Sequence, residues 1–113
     1  MIQRLVFHAE TPTEDIYIIH TGGGYNFIII CHEHKTCAYY WMNSEIANLL
    51  SISLGDPNQE FPDSNEGKKF IVEKEDPNGL RKFVIKLSND EKDWWWMDMP
   101  KNKTKELIGI LAR

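Results

Sequence analysis

Three consecutive tryptophans, Trp94, Trp95 and Trp96, lie in the segment DWWWMDMP near the C-terminal end of the chain. Side chains on a β-strand alternate between the two faces of a sheet, so Trp94 and Trp96 point to one face and Trp95 to the other. One hydrophobic core cannot receive all three rings. The segment therefore predicts either a strand covered on both faces or a strand that presents an aromatic pair to something outside the fold.

The chain has 113 residues, 42% of them hydrophobic and 27% charged, values typical of one soluble globular domain. The longest apolar run, Phe27 to Cys31, is too short to span a bilayer, and the first residues do not resemble a secretory signal. The two cysteines, Cys31 and Cys37, are too few for a disulfide scaffold. We therefore expect a cytoplasmic protein with no membrane association.

Hydrophobic periodicity predicts four strands and a helix, then three strands and a helix. Asn43 or Ser44 can cap the first helix, and Asn102 or Thr104 can cap the second. The first half, residues 1–55, is divided by breakers such as the glycines at 22–24. Residues 56–67 are rich in turn formers and acids and predict an exposed acidic loop, and residues 68–113 form the second half. We expect a single α+β domain over residues 1–113, with a curved, mostly antiparallel sheet of about seven strands in the order ββββα-βββα.

Two helices cannot cover both faces of such a sheet. Seven strands at about 4.8 Å spacing make a sheet roughly 33 Å wide, and two helices of about 10 Å diameter cover about 20 Å of one face. The other face must curl on itself, pair with a second copy as a homodimer, or meet a ligand or water. On the last strand Trp95, Met97 and Met99 form the apolar row, so we predict that Trp94 and Trp96 lie on the less covered face. The alternative is that they fill the interior of a curled sheet.

The net charge of −4 comes from one segment. Between Gly55 and Gly79 there are seven acids and three lysines, and the ten acids and ten bases elsewhere cancel. Acidity of this kind disfavours generic attraction to nucleic acid or anionic lipid and favours a basic protein partner. The predicted binding residues are the seven acids and three aromatic anchors: Asp56, Glu60, Phe61, Asp63, Glu66, Glu73, Glu75, Asp76, Trp94 and Trp96.

These features together favour a non-enzymatic protein-binding module. An acidic, aromatic surface on a small domain suits an immunity or antitoxin protein that neutralises a basic, nuclease-like toxin. The alternative is a single-stranded nucleic-acid-binding protein, in which Tyr39, Trp41, Trp94 and Trp96 form one stacking platform flanked by lysines.

A third hypothesis, a small hydrolase or metal protein, depends on the segment CHEHKTC. Cys31, His32, His34 and Cys37 offer zinc-ligating atoms, but their spacing is not that of a zinc motif, and on a strand Cys31 faces away from both histidines. The simpler interpretation is a solvated hairpin loop. No serine lies in a nucleophile elbow, and no cofactor-binding motif is found, so we expect neither catalysis nor a cofactor.

Overall fold

Eight strands and two α-helices follow one another along residues 2–112, the part of the chain that the computed structural model describes. The first half contains β1 (Gln3–Glu10), β2 (Glu14–Thr21), β3 (Gly24–Cys31), β4 (Thr36–Asn43) and helix α1 (Ser44–Leu54). The second half contains β5 (Phe61–Asn65), β6 (Lys68–Val72), β7 (Arg81–Lys86), a 3-10 turn (Glu91–Asp93), β8 (Trp94–Met99) and helix α2 (Lys101–Leu111).

The strands form two antiparallel sheets of four. Sheet 1 has the order β1-β2-β3-β4 and sheet 2 the order β5-β6-β7-β8, so strands adjacent in the chain are also neighbours in space. The predicted α+β class and the recurrence of a strand meander closed by a helix are confirmed, whereas the single sheet of about seven strands is instead eight strands in two sheets. Neither helix within residues 2–112 is long and apolar enough to cross a membrane.

The eighth strand lies where the sequence predicts only a loop. Residues 56–67 contain β5, which is anchored in the core by Phe61 at 8% exposure. Glu66 and Gly67 adopt positive φ angles of 52° and 81°, which make the tight turn into β6. Pro62 is tolerated because β5 is an edge strand. The many acids and turn formers of this segment predict a loop, but residues 61–72 form a short hairpin of β5 and β6.

The two helices begin differently. The Oδ1 atom of Asn43 accepts a hydrogen bond from the Ile46 amide at 2.9 Å, so the predicted cap of α1 is confirmed. The prediction that Asn102 or Thr104 caps α2 is wrong, because α2 already begins at Lys101. Pro100 precedes it with φ −64°, and the Thr104 hydroxyl donates back to the Pro100 carbonyl at 3.3 Å.

One core joins the two sheets and both helices. Phe70 of β6 lies at its centre, with its ring centroid 5.0 Å from that of Phe27 on β3 and 5.4 Å from that of Tyr40 on β4. The buried side chains of α1 and α2 belong to the same cluster. The helices therefore lie on the inner side of the sheets, and the outer faces of both sheets are turned to solvent.

Polar side chains also join the two sheets along β4. Asn65 Nδ2 donates to the Trp41 carbonyl at 2.9 Å, and Lys68 Nζ donates to the Tyr39 carbonyl at 3.1 Å. These bonds satisfy carbonyl groups at the open edge of sheet 1. Tyr40 adds a buried link by donating its hydroxyl to the Asp63 carboxylate. Burial, together with this hydrogen bond, raises the pKa of Tyr40 well above its usual value.

Arg81 is a buried cation that the sequence does not reveal. It is 2% exposed, and its guanidinium donates to the carbonyl groups of Glu73 and Asp56, each at 3.0 Å. Further bonds to the Leu54 and Gln59 carbonyls tie the end of α1 and the following loop to β7. Burial lowers the pKa of Arg81 from its usual value.

We expect the substitution Arg81→Met to lower the free energy of unfolding by about 3 kcal/mol, because buried carbonyl groups lose their donors. Urea denaturation followed by circular dichroism measures the change. Lys69→Met removes an exposed lysine from the neighbouring strand and should change stability by about 0.5 kcal/mol or less. Equal stability of the two variants would contradict a structural role for Arg81.

Candidate functional site

The three tryptophans divide between the two faces of β8 as predicted. Trp96 pairs with Val84 and lies on the outer face of sheet 2 with 46% of its surface exposed. Trp94 shares that face, and its indole nitrogen donates to the Ser88 carbonyl at 2.9 Å. Trp95 is half-buried, packs against the core, and donates from its indole nitrogen to the Thr36 hydroxyl at 3.1 Å. The core therefore takes one tryptophan and leaves an aromatic pair outside.

Trp96 lies at the end of an apolar row that crosses sheet 2. Strand register places Pro62, Ile71, Val84 and Trp96 side by side on the outer face. A groove of about 390 Å³ lies along this row and is here called the tryptophan groove. Its lining residues are Ile71, Glu73, Lys82, Val84, Lys86, Glu91, Trp94 and Trp96.

Two lysines lie over the two indole rings of the tryptophan groove. Lys86 Nζ is 3.8 Å from the ring centroid of Trp94, and Lys82 Nζ is 4.5 Å from that of Trp96. A cation over an indole face is attracted by the negative potential of the ring. The groove thus combines flat apolar surface with positive charge, and Glu73 and Glu91 supply negative charge at its border.

A larger cleft opens on the other side of β8, between the two sheets. This inter-sheet cleft has a volume of about 670 Å³, and all three tryptophans contribute to its wall. The cleft and the groove share three lining residues, Trp94, Trp96 and Glu91. The two hollows therefore adjoin each other on either side of the edge strand β8. The remaining lining residues of the cleft are Glu14, Ile29, Cys31, His34, Thr36 and Lys92.

Four of the seven predicted acidic binding residues have partners inside the molecule. The Asp63 carboxylate accepts a hydrogen bond from the hydroxyl of the buried Tyr40, and Glu75 Oε1 lies 3.9 Å from Lys101 Nζ. Asp56 and Asp76 each accept backbone amides in their own turns, from Asn58 at 3.0 Å and from Asn78 and Leu80 at 2.9 Å. These four carboxylates therefore hold turns and contacts of the fold.

The other three acids are exposed, but only one lies near the tryptophans. Among residues 2–112, the carboxylates of Glu60, Glu66 and Glu73 make neither a hydrogen bond nor an ion pair, and only Glu73 borders the tryptophan groove. Phe61 does not belong to this surface either, because it packs against Phe70 in the core. Of the predicted binding residues, the structure brings Glu73, Trp94 and Trp96 together.

Sequence reasoning missed Glu14 and Glu91 as acids beside the tryptophans. Glu91 lies three residues before Trp94, so closeness in sequence to the aromatic segment was an available signal. Glu14 had none, because only the packing of sheet 1 against sheet 2 brings it to the cleft.

The CHEHKTC segment is not gathered into one cluster. Cys37 pairs with Ile30 and so lies on the outer face of sheet 1, whereas Cys31 continues the inner row and lines the cleft with His34. Among residues 2–112 no hydrogen bond joins either thiol to a histidine, so no nucleophile-and-base pair is formed by these groups.

Within the described residues, the ring of His32 hydrogen-bonds an aspartate on strand β2 and none of the other potential ligands of the CHEHKTC segment. Its Nε2 atom hydrogen-bonds Asp15, and this bond raises the pKa of His32 above its usual value. Burial alone would raise the pKa of Asp15, but the hydrogen bonds from His32 and His8 outweigh it and lower that pKa.

The outer face of sheet 1 is a second uncovered surface. Register aligns Tyr17, Ile28 and Tyr39 in one row, and Tyr39 and Trp41 are 48% and 41% exposed. The prediction that Tyr39 and Trp41 share one platform with Trp94 and Trp96 is wrong, because the two pairs lie on different sheets. A homodimer through an uncovered face stays a prediction.

A scan against protein-family models finds no family that matches this chain, and a search of curated proteins finds no matching sequence.

We expect Trp95→Ala to lower the free energy of unfolding by about 2 to 3 kcal/mol, because it removes core packing and the bond to Thr36. Trp96→Ala should cost about 1 kcal/mol or less, because its ring lies largely outside the core. Urea denaturation followed by circular dichroism compares the two. If Trp96→Ala is as costly as Trp95→Ala, the exposed tryptophan is needed for folding and not for a contact.

Proposed function

We propose that the protein is a non-enzymatic binding module of the immunity or antitoxin type, which binds and neutralises a basic, nuclease-like protein in the cytoplasm. The observation that carries the proposal is the pair of tryptophans on the outer face of sheet 2, the exposed Trp96 and the half-buried Trp94, between two hollows of the surface. The free thiols Cys31 and Cys37 support the cytoplasmic location, because such thiols persist in reducing compartments.

The tryptophans suit the role of anchors in a protein interface. Binding energy concentrates in a few large, rigid side chains, and tryptophan is the most enriched among them. Trp94 is held in place by its bond to Ser88, so little side-chain entropy remains to be lost on binding. A partner side chain that enters the inter-sheet cleft meets three indole rings along one wall.

Charge supports a basic partner. Glu14, Glu73 and Glu91 border the cleft or the groove together with Lys82, Lys86 and Lys92. The charges of the two hollows therefore balance, and the net attraction comes from the −4 of the chain as a whole. Complementary charge raises the rate of encounter and excludes acidic competitors. A toxin that acts on nucleic acid needs a positive substrate groove, so an acidic protein with an aromatic surface of this kind would attract and block it.

The test is capture on the immobilised full chain, using extracts of the cell that encodes it. We expect a protein with an isoelectric point above about 9, whose expression alone arrests growth and whose co-expression with the chain does not. Trp96→Ala should weaken its binding by about tenfold or more and abolish protection. Leu49→Ala, which truncates an exposed residue of α1, is the matched control and should change neither.

Charge reversal locates the acidic contribution. Glu73→Lys with Glu91→Lys should slow association with the captured protein, while Glu60→Lys with Glu66→Lys makes the same charge change outside both hollows. Capture of no growth-arresting basic protein, or equal binding of the wild type and Trp96→Ala, would overturn the proposal.

A second function, binding of single-stranded nucleic acid, is favoured by the placement of Lys82 and Lys86 over the rings of Trp96 and Trp94. Bases stack on aromatic rings and lysines contact phosphates in sites of this kind. The tryptophan groove alone would carry this function, since Tyr39 and Trp41 lie on the other sheet.

Fluorescence anisotropy with a labelled oligothymidylate tests this second function. If it holds, two phosphate contacts predict an affinity that falls about sevenfold between about 50 and about 200 mM salt. Lys82→Gln with Lys86→Gln should remove the binding, whereas Lys103→Gln with Lys105→Gln, at the start of α2, should leave it unchanged. Absence of binding at low salt removes nucleic acid from consideration and leaves the protein partner.

A further inference from the structure

The turn end of the β1–β2 hairpin brings together three residues that can ligate a metal ion. Glu10 lies directly opposite Asp15 in the register of the two strands, and His8 lies two residues before Glu10 on the same face. One ligating atom from each of His8, Glu10 and Asp15 lies within 4.8 Å of the other two. This group is on the outer face of sheet 1, away from both hollows beside the tryptophans.

His8 is oriented before any ion binds. Its ring is stacked on Tyr17, with centroids 4.4 Å apart and an angle of 15° between the planes. The stack directs Nε2 to Asp15, and the distance from Nε2 to Oδ1 is 2.9 Å. Tetrahedral zinc with bonds of about 2.0 to 2.1 Å holds its ligand atoms about 3.4 Å apart. His8 and Asp15 therefore need to separate by only a small distance.

Asp15 is fixed from its other side. Its second oxygen accepts a hydrogen bond from His32, and the side chain of Asp15 is only 14% exposed. The backbone amide of His32 donates to the Thr13 carbonyl at 3.0 Å, which fixes the start of the β3–β4 turn against the β1–β2 hairpin. Such a partner commonly orients a ligand carboxylate in metal sites.

We infer that His8, Glu10 and Asp15 bind a divalent transition-metal ion, most favourably zinc, and that His32 positions Asp15 for it. The ion replaces the proton that His8 Nε2 donates to Asp15, and the two carboxylates balance its charge. Glu10 is exposed, so its side chain is free to rotate toward the ion. The fourth coordination position is left for water or for a group from another molecule.

The donor set selects among metals. One imidazole nitrogen and two carboxylate oxygens suit zinc and neighbouring transition metals. Calcium requires six to eight oxygen ligands, and magnesium keeps most of its own water, so neither is well matched to an imidazole on a flat sheet face. The site is also distinct from Cys31, His34 and Cys37, which lie apart from it.

Isothermal titration of the chelator-treated full chain with zinc chloride tests the inference. We expect one zinc per chain, with affinity reduced by about tenfold or more in His8→Gln, Glu10→Gln and Asp15→Asn, and by about tenfold in His32→Gln. His20→Gln and the double variant Cys31→Ser, Cys37→Ser are matched controls that should bind as the wild type does. Circular dichroism confirms that each variant is folded.

The visible absorption of added cobalt distinguishes a metal site from a purely structural His8–Asp15–His32 network, because a network that binds no metal would leave the cobalt spectrum unchanged. Bound cobalt should show the visible absorption of a four-coordinate site, and the spectrum should change in His32→Gln if that residue positions Asp15. Absence of saturable zinc binding up to about 1 mM, unchanged affinity in His8→Gln and Asp15→Asn, or a thiolate-to-cobalt charge-transfer band would each overturn the inference.

Discussion

The burial of Phe70 between the two sheets is the contact on which the architecture depends. Its ring meets Phe27 and Tyr40 of sheet 1 and, at a centroid distance of 6.0 Å, Phe83 of sheet 2. A four-stranded sheet has one apolar face that must be covered, and here each sheet covers the other with the help of two helices. Because that arrangement uses the inner faces of both sheets, all the remaining pleated surface is turned outward.

The side chains that we propose to bind other molecules lie on or beside this outward surface. On sheet 2 the edge strand β8 projects Trp94 and Trp96 beside two hollows, and on sheet 1 the hairpin end groups His8, Glu10 and Asp15. Neither group is required to fill the core. Edge strands and hairpin ends are the parts of a sheet where side chains can meet another molecule without rearrangement of the backbone.

The acids show how far the site could be predicted from sequence. The face on which Trp96 lies follows from strict alternation, which is a local rule, and the structure agrees with it. Whether a carboxylate is available for binding depends instead on tertiary contacts. The carboxylate of Asp63 already accepts a hydrogen bond from the Tyr40 hydroxyl, and Glu14 lines the cleft only because two sheets meet there. The composition of residues 56–67 similarly indicated exposure. In the structure, however, Phe61 is buried in the core and begins the short strand β5 within that segment.

The amino-acid pattern by itself determined the class of fold, the strands of the first half, the capped start of α1 and the division of the tryptophans between two faces, because each depends on periodicity or on a bond a few residues long. Only the tertiary structure decided that the strands separate into two sheets, that Arg81 is buried among carbonyl groups, and that Asp15 lies between His8 and His32. Those outcomes depend on contacts between distant parts of the chain, and a linear pattern of residue types does not specify which distant partners meet.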